Sequence, residues 1–171
     1  ISVLDPSTQF AGKSSLRARI DLPGAGFDWV AHPQAGWLYV SVPERRVLAV
    51  ADLAAGGKAT SVSLPGAPSR VALSPDGQRV WVGLAQGGAR RTNTSVQADR
   101  GGVAVVQAQP PHAQRWVSTG DGHHEIAFDD AGWVAVTNRD SGTVSFVNPE
   151  TLLVEATGQP PGGVPLGVVF A

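Results

Sequence analysis

The sequence predicts an all-β fold assembled from a repeated four-stranded unit, and three observations predict it. One phrase recurs: WVAHPQAGWLYVS from Trp29, VALSPDGQRVWVG from Val71, IAFDDAGWVAVTN from Ile126 and a truncated VVFA from Val168. The first two are in register at a spacing of about 42 residues. The apolar pieces are short, rich in Val, Trp, Tyr and Thr, and bounded by Gly, Pro or Asp, which is strand chemistry with turn punctuation. Gly 21 and Pro 13 make up about a fifth of the 171 residues, against a usual share of roughly 12%. No segment holds a helical apolar period over a helical length. Four antiparallel strands every 42 residues or so is the period of a β-propeller blade. A β-sandwich also has short strands, but it gives no reason for the same phrases to recur in the same order.

Taken in order, residues 1–28 read as the outer two strands of a partial blade, ISVLDPST and SLRARIDLPGAG. Complete blades follow at 29–70, 71–125 and 126–167, and residues 168–171 open another. In each blade the first strand ends at HPQAG, SPDGQ or DDAG, whose Pro, Asp and Gly suit a tight reversal into the second. Tyr39, Trp81 and Trp133 are expected in second strands as wedges between blades, with Val144, Phe146 and Val147 continuing that core in a third strand. His32, Ser74 and Asp129 align at the turn. The blade at 71–125 is longer than its neighbours, and the excess falls in an inserted loop at 85–102 that carries Arg90, Arg91 and Arg100. A ring of six to eight blades needs roughly 250 to 350 residues at this period, so the chain reads as about half of a propeller. A four-bladed ring is the alternative. An open arc exposes an apolar flank and an unpaired edge, which points to self-association or to a missing half.

The segment VTNRDSGTVSFVNPETLLVEATGQPPGGVPLGVVF, from Val136 to Phe170, resembles the repeat of the YVTN-type β-propellers, with degenerate copies at Tyr39 (YVSV) and Trp81 (WVGL). The resemblance covers nearly the whole chain. It implies a propeller of the lactonase-like or cytochrome d1-like kind, exported to the periplasm or exterior of a bacterium. Related propellers serve as lactone hydrolases, redox-cofactor scaffolds, surface-layer proteins and metal carriers, so the fold leaves the activity open. The resemblance also implies that the loops from fourth to first strand and from second to third strand share one face around a central channel mouth.

Aligning the blades on that pattern places Asp28, Arg70, Glu125 and Gly167 at equivalent positions, with the three charged groups facing the channel mouth. At the same junction GDGHHEIAF replaces bland turn formers with His123, His124 and Glu125. In extended backbone His123 and Glu125 project one way and His124 the other. An imidazole and a carboxylate on one side are two ligands for Zn or Cu, or an acid/base pair. A metal site needs three or four, with Asp28 or Asp121 as further donors. The bland alternative is a solvent-facing His pair beside a Glu125–Arg70 ion pair. Arg90 and Arg91 are suited to clamp a carboxylate, a phosphate or an acidic loop.

Composition excludes several classes. Thirteen basic and 14 acidic side chains give a formal net charge of -1, leaving no excess to neutralise nucleic acid or anionic lipid. No apolar run approaches the ~18 residues of a membrane span, and the absence of Cys removes thiolate chemistry. The chain starts at Ile1 without Met, so an upstream segment is expected. No nucleophile elbow, phosphate-binding Gly loop, haem-attachment motif or zincin motif is present. The leading expectation is therefore a non-catalytic exported scaffold that binds a small ligand, a metal ion or a protein partner at the channel mouth through Asp28, Arg70, Arg90, Arg91, His123, His124 and Glu125. A metal-dependent lactone hydrolase or redox-enzyme propeller, and a structural surface-layer repeat, are the alternatives.

Overall fold

A computed structural model describes residues 2–4, 16–56, 58–85, 90–91, 96–97, 101–122 and 124–170. A hairpin of β1 (Ser2–Leu4) and β2 (Leu16–Arg19) precedes three four-stranded antiparallel sheets. The first sheet contains β3 (Trp29–Ala31), β4 (Trp37–Val42), β5 (Val47–Asp52) and β6 (Ala59–Ser63) in sequential order. The second contains β7 (Ala67–Leu73), β8 (Arg79–Ala85), β11 (Gly102–Gln107) and β12 (His112–Val117). Between β8 and β11 a small ribbon pairs β9 (Arg90–Arg91) with β10 (Val96–Gln97). The third contains β13 (Ile126–Phe128), β14 (Val134–Asn138), β15 (Thr143–Val147) and β16 (Val154–Gly158). Sequential pairing of four short strands, repeated sheet by sheet, is the blade organisation of a propeller.

In the first two blades the two middle strands are apolar on both faces because a neighbour packs against each side, and side-chain alternation divides the work. In β4, Leu38, Val40 and Val42 pack with Ile20 on the side of the N-terminal hairpin, while Tyr39 packs into a cluster with Val71, Val80, Val82 and Leu84 of the next blade. The pattern repeats in β8. Val80, Val82 and Leu84 face back to the first blade, and Trp81 faces forward to Val134, Val136 and Val147. Trp81 is 1% exposed and meets Phe128 edge-on at a centroid distance of 6.2 Å. Tyr39 is fully buried. Its hydroxyl donates to the Ala108 carbonyl of the next blade at 2.9 Å, and burial pushes its pKa up to about 12.

Trp133 differs from its expected place. It lies one residue before β14, half-buried, where its amide donates to Asp129 Oδ1. Ala135 therefore holds the wedge position filled by Tyr39 and Trp81, which lie one residue before Val40 and Val82 as Ala135 lies before Val136. Phe146 differs too, since it is 37% exposed on the outer flank of the last blade. No further described sheet covers that flank.

The aligned turn residues all terminate first strands at the far end of the blades. Ser74 Oγ accepts from the Arg79 amide, and Asp129 Oδ1 accepts from Trp133. His32 Nδ1 accepts from the amides of Gln34 and Ala35, while its Nε2 contacts the Gly77 carbonyl of the next blade at 3.1 Å. Partial burial pushes the Asp76 carboxyl's pKa up, but hydrogen bonds from the Ser74 hydroxyl and the Gln78 amide, with Arg79 nearby, outweigh it and hold the pKa below its usual 3.8.

Removing the forward wedge by Trp81→Ala is expected to cost about 3–5 kcal/mol, and Tyr39→Phe about 1 kcal/mol, in urea denaturation of the folded chain. Asp76 supplies a pH prediction. Because its folded-state value is lowered, its stabilising effect is fully present above the unfolded value of 3.8 and is lost as the pH falls through the folded value. Denaturation midpoints of wild type and Asp76→Asn should differ at neutral pH and converge in acid.

Candidate functional site

The end of the sheets at which β3, β7 and β13 begin gathers the charged residues that repeat alignment places together. Asp28 and Glu125 are held in equivalent ways. The Asp28 amide donates to Ser41 Oγ at 3.0 Å, and the Glu125 amide donates to Thr137 Oγ1 at 2.8 Å. Ser41 and Thr137 are the penultimate residues of the second strands β4 and β14, so a buried hydroxyl satisfies the incoming backbone in both blades. The middle blade uses another device. Between Pro68 and Val71 the β7–β8 register shifts by one residue, and such a bulge re-aims a side chain. Ser69 turns inward to donate to the Gly83 carbonyl, while Arg70 points out, 48% exposed.

The result is a charged relay across three blades. Arg70 Nε donates to Glu125 Oε1 at 2.8 Å, and its terminal nitrogen lies 4.0 Å from Asp28 Oδ1. The other Asp28 oxygen, Oδ2, accepts from the Val71 amide at 2.9 Å, which fixes the carboxylate to the neighbouring blade. The Arg70 guanidinium also sits over the Phe27 ring, 6.0 Å from its centre. Beside the relay lies a cavity of about 370 Å³ lined by Phe27, Arg70, Glu125, Thr137, Arg139, Pro165 and Leu166.

His124 occupies a different place from its charged neighbours. It is fully buried between the second and third blades, with Nδ1 2.8 Å from the Thr137 carbonyl and Nε2 3.1 Å from the Leu84 carbonyl. The Gly102 amide donates to Nε2 at 3.3 Å. Backbone groups of β8, β11 and β14 thus bracket the ring, which clasps two blades. Gly83 makes room for it: a Cβ there would stand 3.0 Å from both His124 Cβ and Ser69 Oγ. His123 lies outside the described residues. Arg90 and Arg91 form β9 in the connection between β8 and β11, where Arg91 pairs with Val96 and Arg90 with Gln97. Among the described residues no three His, Asp or Glu side chains cluster as metal ligands.

Phe27, Thr137 and Arg139 were missed by charge and repeat arguments. Arg139 had a usable signal, because it follows the VTN phrase in the β14–β15 turn, a second-to-third strand connection on the same face. That loop is tied to the fourth-to-first strand connection, since the Asp140 amide donates to the Asp121 carbonyl and the Asp121 amide donates to Ser141 Oγ.

Neither a family model nor a curated protein sequence matches the chain. Solved structures do. Hydrazine synthase of Kuenenia stuttgartiensis superposes with a TM-score of 0.71 at 18% identity, over 91% of this chain and 42% of that one. Apo AztD from Citrobacter koseri gives 0.67 at 11% identity, over 92% of this chain and 40% of that one. The dihydro-heme d1 dehydrogenase NirN, solved in complex with DHE, gives 0.64 at 17% identity, over 89% of this chain and 31% of that one. These likenesses establish the β-propeller fold, and this chain spans less than half the length of each neighbour.

Two substitutions separate scaffold from surface here. Gly83→Val forces a side chain against His124 and Ser69 and is expected to cost about 1–3 kcal/mol. Arg70→Ala removes an exposed ion pair and is expected to cost at most about 1 kcal/mol. Urea denaturation of the two variants beside wild type checks both.

Proposed function

We propose that the chain is part of an exported bacterial propeller of the YVTN-repeat kind that acts as a binding scaffold, holding a small ligand at the channel-mouth rim built from Asp28, Arg70 and Glu125. The observation that carries this reading is the relay across three successive blades beside a cavity of about 370 Å³. Exposed ion pairs contribute only about 0–1 kcal/mol to folding, so stability alone is a poor reason for three blades to converge on one guanidinium. A rigid rim with oriented charge is what recognition requires, and propeller loops carry function on a scaffold that holds them still.

The similar structures include NirN in complex with DHE and AztD in its apo form, which agrees with a binding role without specifying a ligand. No helix among the described residues is long and apolar enough to cross a membrane. Periplasmic location is part of the proposal. The metal version of the reading centres on Glu125 and His123, with Zn or Cu as the ion, and Arg90 and Arg91 are proposed as a second cationic contact for the same ligand or a protein partner.

A thermal-shift panel of small anions, small cations, Zn(II) and Cu(II) tests the rim. At least one class is expected to stabilise the wild-type chain, by about 2.7 kcal/mol at a concentration 100 times its Kd, and Arg70→Ala combined with Glu125→Ala should abolish the effect. Equal shifts in the variant, or none in either protein, overturn the proposal. Metal content by mass spectrometry of wild type and His123→Ala separates the metal version from the others.

A further inference from the structure

The cavity beside the relay is unequal in charge. Its lining carries two guanidinium groups, Arg70 and Arg139, and one carboxylate, Glu125. Arg70 is engaged by Glu125 and faces Asp28. Arg139 is exposed and makes no ion pair or side-chain hydrogen bond among the described residues. Apart from Thr137 the remaining wall is apolar, formed by Phe27, Pro165 and Leu166, of which Phe27 is 56% exposed and Leu166 76% exposed.

We infer that Arg139 is the anchor of this site and that the ligand is a small organic monocarboxylate with an apolar body. The inference deepens the binding reading above and rests on it. A guanidinium presents its donors as a planar fork matched to a carboxylate, and a fork with no internal partner is free to accept one. Arg139, the guanidinium in the lining without a carboxylate partner, supplies the positive charge that one negative charge on the ligand meets. The exposed Phe27 ring and the Leu166 side chain offer the apolar body a surface on which water is displaced. Selectivity follows from both signs of charge, because a cation-bearing ligand meets two guanidinium groups, whereas a second carboxylate on the ligand meets Glu125.

Isothermal titration of the full chain with benzoate, benzyl alcohol and benzylammonium tests the inference, with Arg139→Gln and Arg139→Lys as variants and circular dichroism confirming that each folds. Benzoate is expected to bind at least about tenfold more tightly than either probe lacking the negative charge. Arg139→Gln should weaken benzoate about tenfold or more and leave benzyl alcohol unchanged, while Arg139→Lys restores part of the affinity by charge alone. Preference for benzylammonium, or unchanged benzoate affinity in Arg139→Gln, overturns the inference and leaves the rim reading standing. Absence of benzoate binding while the thermal-shift panel still registers a ligand lost with Arg70 and Glu125 does the same. No response in either experiment overturns both.

Discussion

Each blade in this chain is too thin to bury its own apolar residues, so the interaction on which the structure depends is face-to-face packing of one blade on the next. Tyr39 and Trp81 are the largest fully buried side chains, and each reaches forward from a second strand into the core of the following blade. Because side chains alternate along a strand, the same strand that reaches forward also faces back, and Val80, Val82 and Leu84 complete the preceding junction. Position along the ring is thereby coupled to position along the chain. Residues at one point of the repeat arrive at one rim of the molecule, whatever their chemistry.

That coupling explains which parts of the site are legible in sequence. Asp28, Arg70 and Glu125 share no local motif, yet aligning WVAHP, VALSP and IAFDD places them at equivalent positions, and the structure joins them through Arg70. The turn residues His32, Ser74 and Asp129 were legible for the same reason. His124 was not, because extended-strand alternation tells only that it points away from Glu125. It does not tell that a glycine at position 83 opens a slot for the ring between blades. Trp133 misled because a Trp beside a second strand resembles Trp81, while the actual wedge position there is Ala135. Phe146 reads as core in a strand pattern that assumes a covering neighbour, and its exposure reflects the flank on which it lies.

Arg139 shows the limit from the other side. Charge and repeat position alone describe a solvated turn residue. What makes it informative is the pairing inventory around it: Arg70 is satisfied by two carboxylates from neighbouring blades, and Arg139 shares its cavity without a carboxylate of its own. Inventories of this kind depend on side-chain direction, which the bulge between Pro68 and Val71 sets for Arg70. No sequence pattern in the chain announces that bulge.

The central claim is that packing of equivalent blades builds one binding rim where Asp28, Arg70, Glu125 and Arg139 meet. Mapping backbone amide shifts by NMR while titrating the isotope-labelled chain with benzoate tests it most directly. The account predicts perturbations centred on Asp28, Arg70, Val71, Glu125, Thr137 and Arg139. Perturbations centred instead on the opposite turns, Ser74 to Gln78 and Asp129 to Gly132, would contradict it.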